Sequence, residues 1–173
     1  IERFVFYRKA GSKIHAFTDA LPSVVQGHSW EEALQACEKE TNAAAFVAKE
    51  GLTAAATGSD TELALDMAYG TAAAELRSGL NYLSMIVTLS PLLGLLGTIV
   101  GMINSFNIFS LQAGQPLAIT GGIGEALIAT ATGLCVAILA LVVHSYFAQK
   151  MDTILTELDK VMAVISAEAR KRG

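Results

Sequence analysis

Four polar side chains that can take part in chemistry lie inside the most apolar part of the sequence. Glu125 is the only charged residue in the segment 78–149, and Thr98, Thr130 and Thr132 place hydroxyls in the same segment. An ionisable residue inside an apolar segment is by default a candidate functional site. Hydroxyls both donate and accept hydrogen bonds, so this set is able to line a path for protons or small cations.

A plainer interpretation of the same residues stays open. Threonine hydroxyls can hydrogen-bond to carbonyl groups of their own helix. Glu125 comes near the start of its apolar run, where water and the positive end of the helix dipole would stabilise a carboxylate. The residue types alone therefore leave two alternatives, a polar pathway and ordinary helix packing.

The middle of the apolar segment contains no carboxyl or imidazole group that could carry a proton. Glu125 lies too near one end and His144 too near the other. If protons cross here, the acid at the midplane must come from another polypeptide.

Small residues recur at helical spacing on both halves of the segment. Thr98 shares a face with Ser105 on the first half, and Thr130 lies on a comparable face of the second. Small residues on such faces let two helices approach closely. The predicted packing positions are Gly94, Gly97, Gly101, Ala126, Ala129, Gly133 and Ala137. Ser105 and Thr132 are further candidates for a pore or an interface.

Composition and charge predict that these residues lie on long membrane helices. The sequence is 53% hydrophobic and 16% charged, whereas about 25% is usual for soluble domains. Two crossings of about 20 residues fit the apolar segment. All 12 Lys and Arg residues lie outside it, which predicts cytoplasmic flanks. The expected fold is all-α, with two long transmembrane helices that extend into the cytoplasm and short cytoplasmic helices.

The predicted organisation has five parts. They are a cytoplasmic helical region over 1–79, a transmembrane helix over 80–109, a short periplasmic loop over 110–120, a transmembrane helix over 121–148 and a cytoplasmic helical tail over 149–173. The opening "IERFVFYRKAG" is typical of the end of a membrane helix, so a first transmembrane helix is expected before this chain. The two cysteines, Cys37 and Cys135, fall in different parts and predict no disulfide.

Local signals place helix starts in the cytoplasmic part. Ser29 followed by Glu32 has capping-box spacing, and Asp60 is a predicted N-cap for the first long helix. Pro91 predicts a kink in that helix, and Gly114 and Pro116 predict the outer turn.

Common catalytic and ligand motifs do not match. "GLLGTIVG" is not followed by Lys-Ser/Thr, and "GGIGEA" follows no strand, so neither predicts a nucleotide site. Histidine and cysteine spacings do not suit zinc, and no nucleophile-elbow pattern occurs. The acidic balance disfavours nucleic acid. The sequence therefore predicts no enzyme, no metal, no catalytic residue and no cofactor.

The stretches "SPLLGLLGTIVGMINSF" and "GGIGEALIATATGL" resemble the MotA/TolQ/ExbB proton-channel family, and are most similar to its ExbB branch. The resemblance is strong over about 80–150 and looser over the cytoplasmic part. It implies three membrane helices, a homopentamer in the bacterial inner membrane, and an ExbD-like dimer in the central pore. It also implies that the proton-carrying aspartate belongs to that partner.

The resemblance assigns roles to three residues. Thr98 and Thr130 match the pore threonines of the family, and Glu125 matches its acid at the periplasmic end of the last helix. Thr132 stands where many relatives have an apolar residue. The implied function is a subunit of a proton-motive-force-driven motor that energises a TonB-like periplasm-spanning protein. The alternatives are a TolQ-like or MotA-like stator subunit, and a non-conducting membrane scaffold.

Overall fold

The computed structural model describes the backbone of residues 2–111 and 116–172 and the side chains of residues 5–107 and 121–172. Every regular element in these ranges is an α-helix, which confirms the all-α prediction. The helices are α1 (Glu2–Ala10), α2 (Ile14–Gly27), α3 (Trp30–Glu38), α4 (Ala43–Thr57), α5 (Thr61–Leu111) and α6 (Pro116–Arg172).

Side-chain caps fix where several helices begin. The Ser29 hydroxyl accepts from the Glu32 N–H at 3.3 Å, and the Glu32 carboxylate accepts from the Ser29 N–H at 3.1 Å, so the predicted capping box is present. The Asp60 carboxylate accepts from the N–H of Leu63 at 3.0 Å as α5 begins. Gly58 ends α4 with φ 70°, a left-handed conformation that favours glycine.

Both long helices extend into the loop predicted over 110–120. α5 has 51 residues, includes Pro91 and ends at Leu111, and α6 has 57 residues and begins at Pro116. Proline is favoured at the first position of a helix because its missing N–H has no helical partner there. Gly114, predicted in the outer turn, lies outside the described residues.

Residues 1–79 and 147–173 form one compact unit with a well-packed apolar core. Its fully buried side chains come from α2, α3, α4 and the ends of α5 and α6, and include Leu21, Leu52, Leu65, Leu76, Leu158, Val161 and Ile165. Burying one such aliphatic side chain contributes roughly 1.5–3 kcal/mol.

The end of α6 is attached to this unit through Arg172. Its guanidinium donates to the carbonyls of Val25 and His28, at 2.5 and 3.1 Å, and its Cζ lies 4.1 Å from the centre of the Trp30 ring. These contacts satisfy carbonyls at the end of α2, where no further helical turn is available to do so.

Residues 80–146 form the second unit, which consists of the apolar parts of α5 and α6. α5 and α6 are both long and apolar enough to cross a membrane. In the most apolar 18-residue stretch of each helix, only 6% is buried in α5 and 11% in α6, whereas the core helix of a soluble protein is mostly buried. Their large aliphatic side chains are therefore available to lipid or to other membrane helices.

Candidate functional site

The candidate site lies where α5 and α6 pack against each other within residues 80–146. Gly94 and Gly133 bring the two backbones together at one level. A Cβ added at Gly133 would lie 2.6 Å from the Ser90 carbonyl oxygen and 3.0 Å from the Gly94 Cα. Real Cβ atoms do not approach backbone atoms so closely, so this level accepts only glycine without movement of a helix.

The close approach continues along the pair. A Cβ at Gly97 would lie 2.6 Å from the Ala129 Cβ, and one at Gly101 would lie 3.0 Å from the Ala126 Cβ. Ala126 is 2% exposed, and Ala137 is also buried. The structure thus places all seven residues of the predicted small-residue set on the less exposed faces of the two helices.

Thr98 and Thr130 meet in this narrow interface. Their hydroxyl oxygens are 3.0 Å apart, and both side chains are partly buried. The Thr98 Oγ1 also lies 2.9 Å from the Leu95 carbonyl oxygen and 3.2 Å from that of Gly94. The Thr130 Oγ1 lies 3.3 Å from the same Gly94 oxygen.

The two hydroxyls carry one hydrogen each, yet four contacts lie within hydrogen-bond distance. Only two of these contacts can be made at once, so the hydrogens can be distributed in more than one way. A hydroxyl pair of this kind can donate to, or accept from, a third group without leaving a buried hydrogen unsatisfied. This is the property that a proton or cation pathway requires.

Ser105 lies in the same interface, but its hydroxyl is buried and already hydrogen-bonded within its own helix. Its hydroxyl donates to the Gly101 carbonyl at 2.8 Å, and the residue is 2% exposed. A Cβ added at Gly122 on α6 would collide with this hydroxyl. The structure places the Ser105 side chain in the packing of α5 against α6.

Thr132 points away from the hydroxyl pair. It follows Thr130 by two residues, which is about 200° around a helix. Its side chain is exposed, and its hydroxyl donates to the Ile128 carbonyl at 2.8 Å. The structure therefore does not bring Thr132 together with Thr98 and Thr130.

Glu125 is exposed and lies on the same side of α6 as Thr132. The two residues are seven positions apart, which is close to two full helical turns. In the part of the chain with described side chains, the Glu125 carboxylate makes no hydrogen bond or ion pair. Two surfaces of α6 thus carry polar groups: one faces α5, and the other is open.

Sequence reasoning missed one functional group, the buried carboxylate of Glu157 in the first unit. Its side chain is 3% exposed and its Oε1 lies 2.7 Å from the Lys160 Nζ and 3.1 Å from the His15 Nδ1. Its Oε2 is buried with no hydrogen bond. The sequence contains a signal for this burial, because Glu157 lies among Ile154, Leu158 and Val161 on the apolar face of α6.

The pKa of Glu157 reflects opposing effects. Burial raises it, whereas the hydrogen bond from Lys160, the nearby Thr18 hydroxyl and the charges of Lys160 and His15 lower it. The net result is a pKa below the ordinary value of 4.5. Glu157 is therefore ionised at neutral pH and acts as a charged link between α2 and α6.

Two paired apolar helices, joined through glycines and a hydroxyl pair, are typical of a helical membrane protein. Comparison with known sequences makes this more specific. The model of the MotA/TolQ/ExbB proton channel family matches residues 23–160, and the chain belongs to this membrane-embedded family.

Individual relatives are similar over part of the chain. An ExbB-like biopolymer transport protein of Synechocystis sp. is 46% identical over 87 residues, which are 46% of this chain and 34% of the relative. Biopolymer transport protein ExbB of Salmonella typhimurium is 40% identical over 88 residues, or 50% of this chain and 36% of the relative. Tol-Pal system protein TolQ of Pseudomonas aeruginosa is 33% identical over 96 residues, or 53% and 42%. Less than half the length of each relative is matched.

Proposed function

We propose that this chain is the channel-forming subunit of a proton-motive-force-driven motor in the bacterial inner membrane. It acts with an ExbD-like dimer and energises TonB-dependent transport across the outer membrane. The observation that carries the proposal is the Thr98–Thr130 hydroxyl pair, 3.0 Å apart inside an apolar helix pair that has no carboxyl or imidazole group at its middle.

The chemistry of the pair suits a partner carboxylate that alternates between protonated and ionised states. A protonated carboxyl donates to a hydroxyl oxygen, and an ionised one accepts the hydroxyl hydrogen. Because the pair is uncharged, it does not lock the carboxylate into a permanent ion pair. The acid is supplied by the partner, which is consistent with the charge-free middle of this chain.

Glu125 is proposed to act at the outer end of the same route. It is the only charge between residues 78 and 149, and its side chain is exposed on the surface of α6 that does not face α5. In a ring of identical subunits, one such carboxylate per subunit would attract cations to the periplasmic entrance. Thr132, on the same surface, is proposed as an additional contact to a neighbouring subunit or to the partner.

The choice between a TonB-dependent system and a TolQ-like role rests on the names and identities of the relatives. Matches named ExbB or ExbB-like are 32–46% identical to this chain and include identities of 40–46%, whereas the TolQ match is 33% identical. We therefore place TonB-dependent uptake first and a TolQ-like role in the cell envelope second. The assembly is proposed to be a homopentamer around the ExbD-like dimer, with a TonB-like protein spanning the periplasm, and no catalytic step or cofactor is assigned.

Isosteric removal of the hydroxyls tests the proposal. Thr98→Val and Thr130→Val keep the volume of the side chain and delete its hydrogen bonds. In the full-length protein, we expect growth on a TonB-imported siderophore to fall by at least about tenfold, the effect of losing roughly 1.4 kcal/mol of stabilisation in the proton-carrying state. Native mass spectrometry should show that the complexes still assemble.

Thr88→Val is the matched control. Thr88 lies on α5, is exposed, and its hydroxyl donates only to its own helix, to Ser84 O at 2.8 Å. Uptake should be unchanged in this variant. If Thr98→Val and Thr130→Val assemble and also leave uptake unchanged, the hydroxyls serve packing and the chain is a non-conducting scaffold.

A further inference from the structure

A cleft of about 360 Å³ opens in the first unit between α1, α4 and α5. Its apolar lining includes Phe6, Ala10, Phe46 and Leu76, and its charged lining is Lys9 on α1 and Glu75 on α5. Leu76 is buried, whereas Phe46 is 43% exposed although it is a large aromatic residue. This volume lies within the range of small-molecule sites, about 300–1,000 Å³.

The walls of the cleft are held in place by buried hydrogen bonds. The Tyr7 hydroxyl donates to the Leu76 carbonyl at 2.6 Å, which fixes α1 against α5. The Asn42 amide donates to Ser12 O at 3.3 Å and its oxygen accepts from the Ala45 N–H at 2.9 Å, which joins the start of α4 to the turn after α1. These contacts hold α1, α4 and α5 in place around the cleft.

Lys9 and Glu75 bring opposite charges to the cleft from different helices. Among the described side chains, neither the Lys9 ammonium nor the Glu75 carboxylate forms an ion pair or a hydrogen bond. No ion pair joins the Lys9 ammonium to the Glu75 carboxylate. An unpaired cation and an unpaired anion that line one cleft complement a ligand that carries both a negative and a positive group.

The position of Glu75 and Leu76 along α5 points to the class of ligand. With the membrane crossing starting at residue 80, Leu76 lies four residues earlier, or about 6 Å along the helix. The polar headgroup layer of one leaflet is about 5–8 Å thick. The α5 wall of the cleft is therefore expected at headgroup depth. Arg8 and Arg77 add positive charge in the same stretches of α1 and α5.

We propose that this cleft binds the headgroup of a zwitterionic amine phospholipid. The phosphate pairs with Lys9, the ammonium pairs with Glu75, and the glycerol region contacts the apolar surface formed by Phe6, Phe46 and Leu76. This inference rests on the membrane embedding of the family and is independent of ion conduction. It can therefore fail while the proposed function stands, and the reverse also holds.

Lipid retention by the full-length complex tests the site. The complex is delipidated in detergent and supplied with equal amounts of dioleoyl phosphatidylethanolamine and phosphatidylglycerol, and retained lipid is measured by native mass spectrometry. The wild type should retain phosphatidylethanolamine about three- to tenfold better, the range expected for one charge-assisted contact to the amine. Glu75→Gln should abolish this preference, and Lys9→Gln should weaken retention of both lipids.

Glu50→Gln and Lys39→Gln are matched controls, because both side chains are exposed and neither lines the cleft. They should behave like the wild type. Equal retention in wild type and both cleft variants would overturn the proposal. Free glycerophosphoethanolamine that competes as well as the intact lipid would also overturn it, in favour of a site for soluble phosphodiesters.

A second copy of the chain is the competing occupant. Phe46→Cys, in a background with Cys37→Ala and Cys135→Ala, reports on it by maleimide labelling. Lipid occupancy predicts labelling in the delipidated oligomer and protection after phosphatidylethanolamine is added. Protection in the oligomer without lipid would show that a neighbouring subunit fills the cleft, which overturns the lipid assignment.

Discussion

At the scale of single residues, the two polar centres of this chain are built in opposite ways. The hydroxyls of Thr98 and Thr130 are uncharged, partly buried and free to exchange hydrogen-bond partners. Glu157 is charged, almost fully buried and held by Lys160 and His15. The first arrangement suits a site that must respond to a passing charge, and the second suits a fixed link between helices.

Glu157 makes the stability of the unit of residues 1–79 and 147–173 dependent on pH. Its pKa is lower in the folded state than its ordinary value, so the ionised form stabilises the fold above that value. This contribution is lost as the pH falls through the folded pKa, below 4.5. Glu157→Gln should therefore destabilise the protein at pH 7 by about 1–3 kcal/mol, and the difference from wild type should shrink below pH 4.5.

The measurement is the melting temperature of the detergent-solubilised protein between pH 3 and 8. Asp159→Asn is the control, because Asp159 lies on the same helix and its side chain is exposed. A deficit of Glu157→Gln that stays constant across this pH range would mean that the lost shape of the side chain, and not its charge, causes the effect.

At the scale of elements, the pairing of α5 and α6 depends on backbone-to-backbone contact. Gly133→Ala tests it, because the new Cβ would press on the Ser90 carbonyl and the Gly94 Cα, neither of which can rotate away. Overpacking of this kind costs about 1–3 kcal/mol, although alanine is the better helix former by up to about 1 kcal/mol. We expect a lower melting temperature and loss of uptake.

Gly124→Ala is the matched control on the same helix. A Cβ there meets no atom within 4 Å, so the variant should be as stable as the wild type or more so. Should Gly133→Ala and Gly124→Ala melt at the same temperature, α5 and α6 do not pack through these glycines in the assembled protein.

The sequence predicts the helix starts that depend on residues a few positions apart. It does not predict the contacts between residues that are distant in the sequence. The caps at Ser29 and Asp60 depend on residues three positions away, and both are present. The helical stripe that contains Thr98 follows from spacing alone. The Tyr7–Leu76 and Arg172–Val25 contacts join residues 69 and 147 positions apart, and no local pattern encodes them.

For the candidate site too, the sequence predicts local features and not the contacts between helices. Periodicity placed Thr98 and Thr130 on faces lined by small residues, and the structure brings these hydroxyls together. Periodicity alone puts Thr132 about 200° around the helix from Thr130. It does not identify the helix that each face contacts, so it could not say that Thr130 faces α5 and that Thr132 and Glu125 do not. The sequence does not place the start of α6 at Pro116, because proline is common both in turns and at the first position of a helix.

At the scale of the whole molecule, the two units differ in how much apolar surface they bury within one chain. The unit of residues 1–79 and 147–173 has its own core. The unit of residues 80–146 leaves Leu93, Leu96, Ile138, Leu139 and Val142 at least half exposed. Soluble proteins rarely expose an apolar surface of this extent to water. We therefore expect lipid and other membrane helices to cover it.

The charge distribution predicts a topology that experiment can check. All basic residues lie at or before Arg77 or at or after Lys150, which predicts that both flanks are cytoplasmic and that the connection near residue 112 is periplasmic. Single cysteines at Ser59, Leu93 and Gln112, in full-length protein with Cys37→Ala and Cys135→Ala, report on the three environments. A membrane-impermeant maleimide should label Gln112→Cys in intact spheroplasts, Ser59→Cys only after lysis, and Leu93→Cys in neither case. Labelling of Ser59→Cys before lysis would reverse the orientation, and it would move Glu125 from the periplasmic entrance of the proposed route to its cytoplasmic exit.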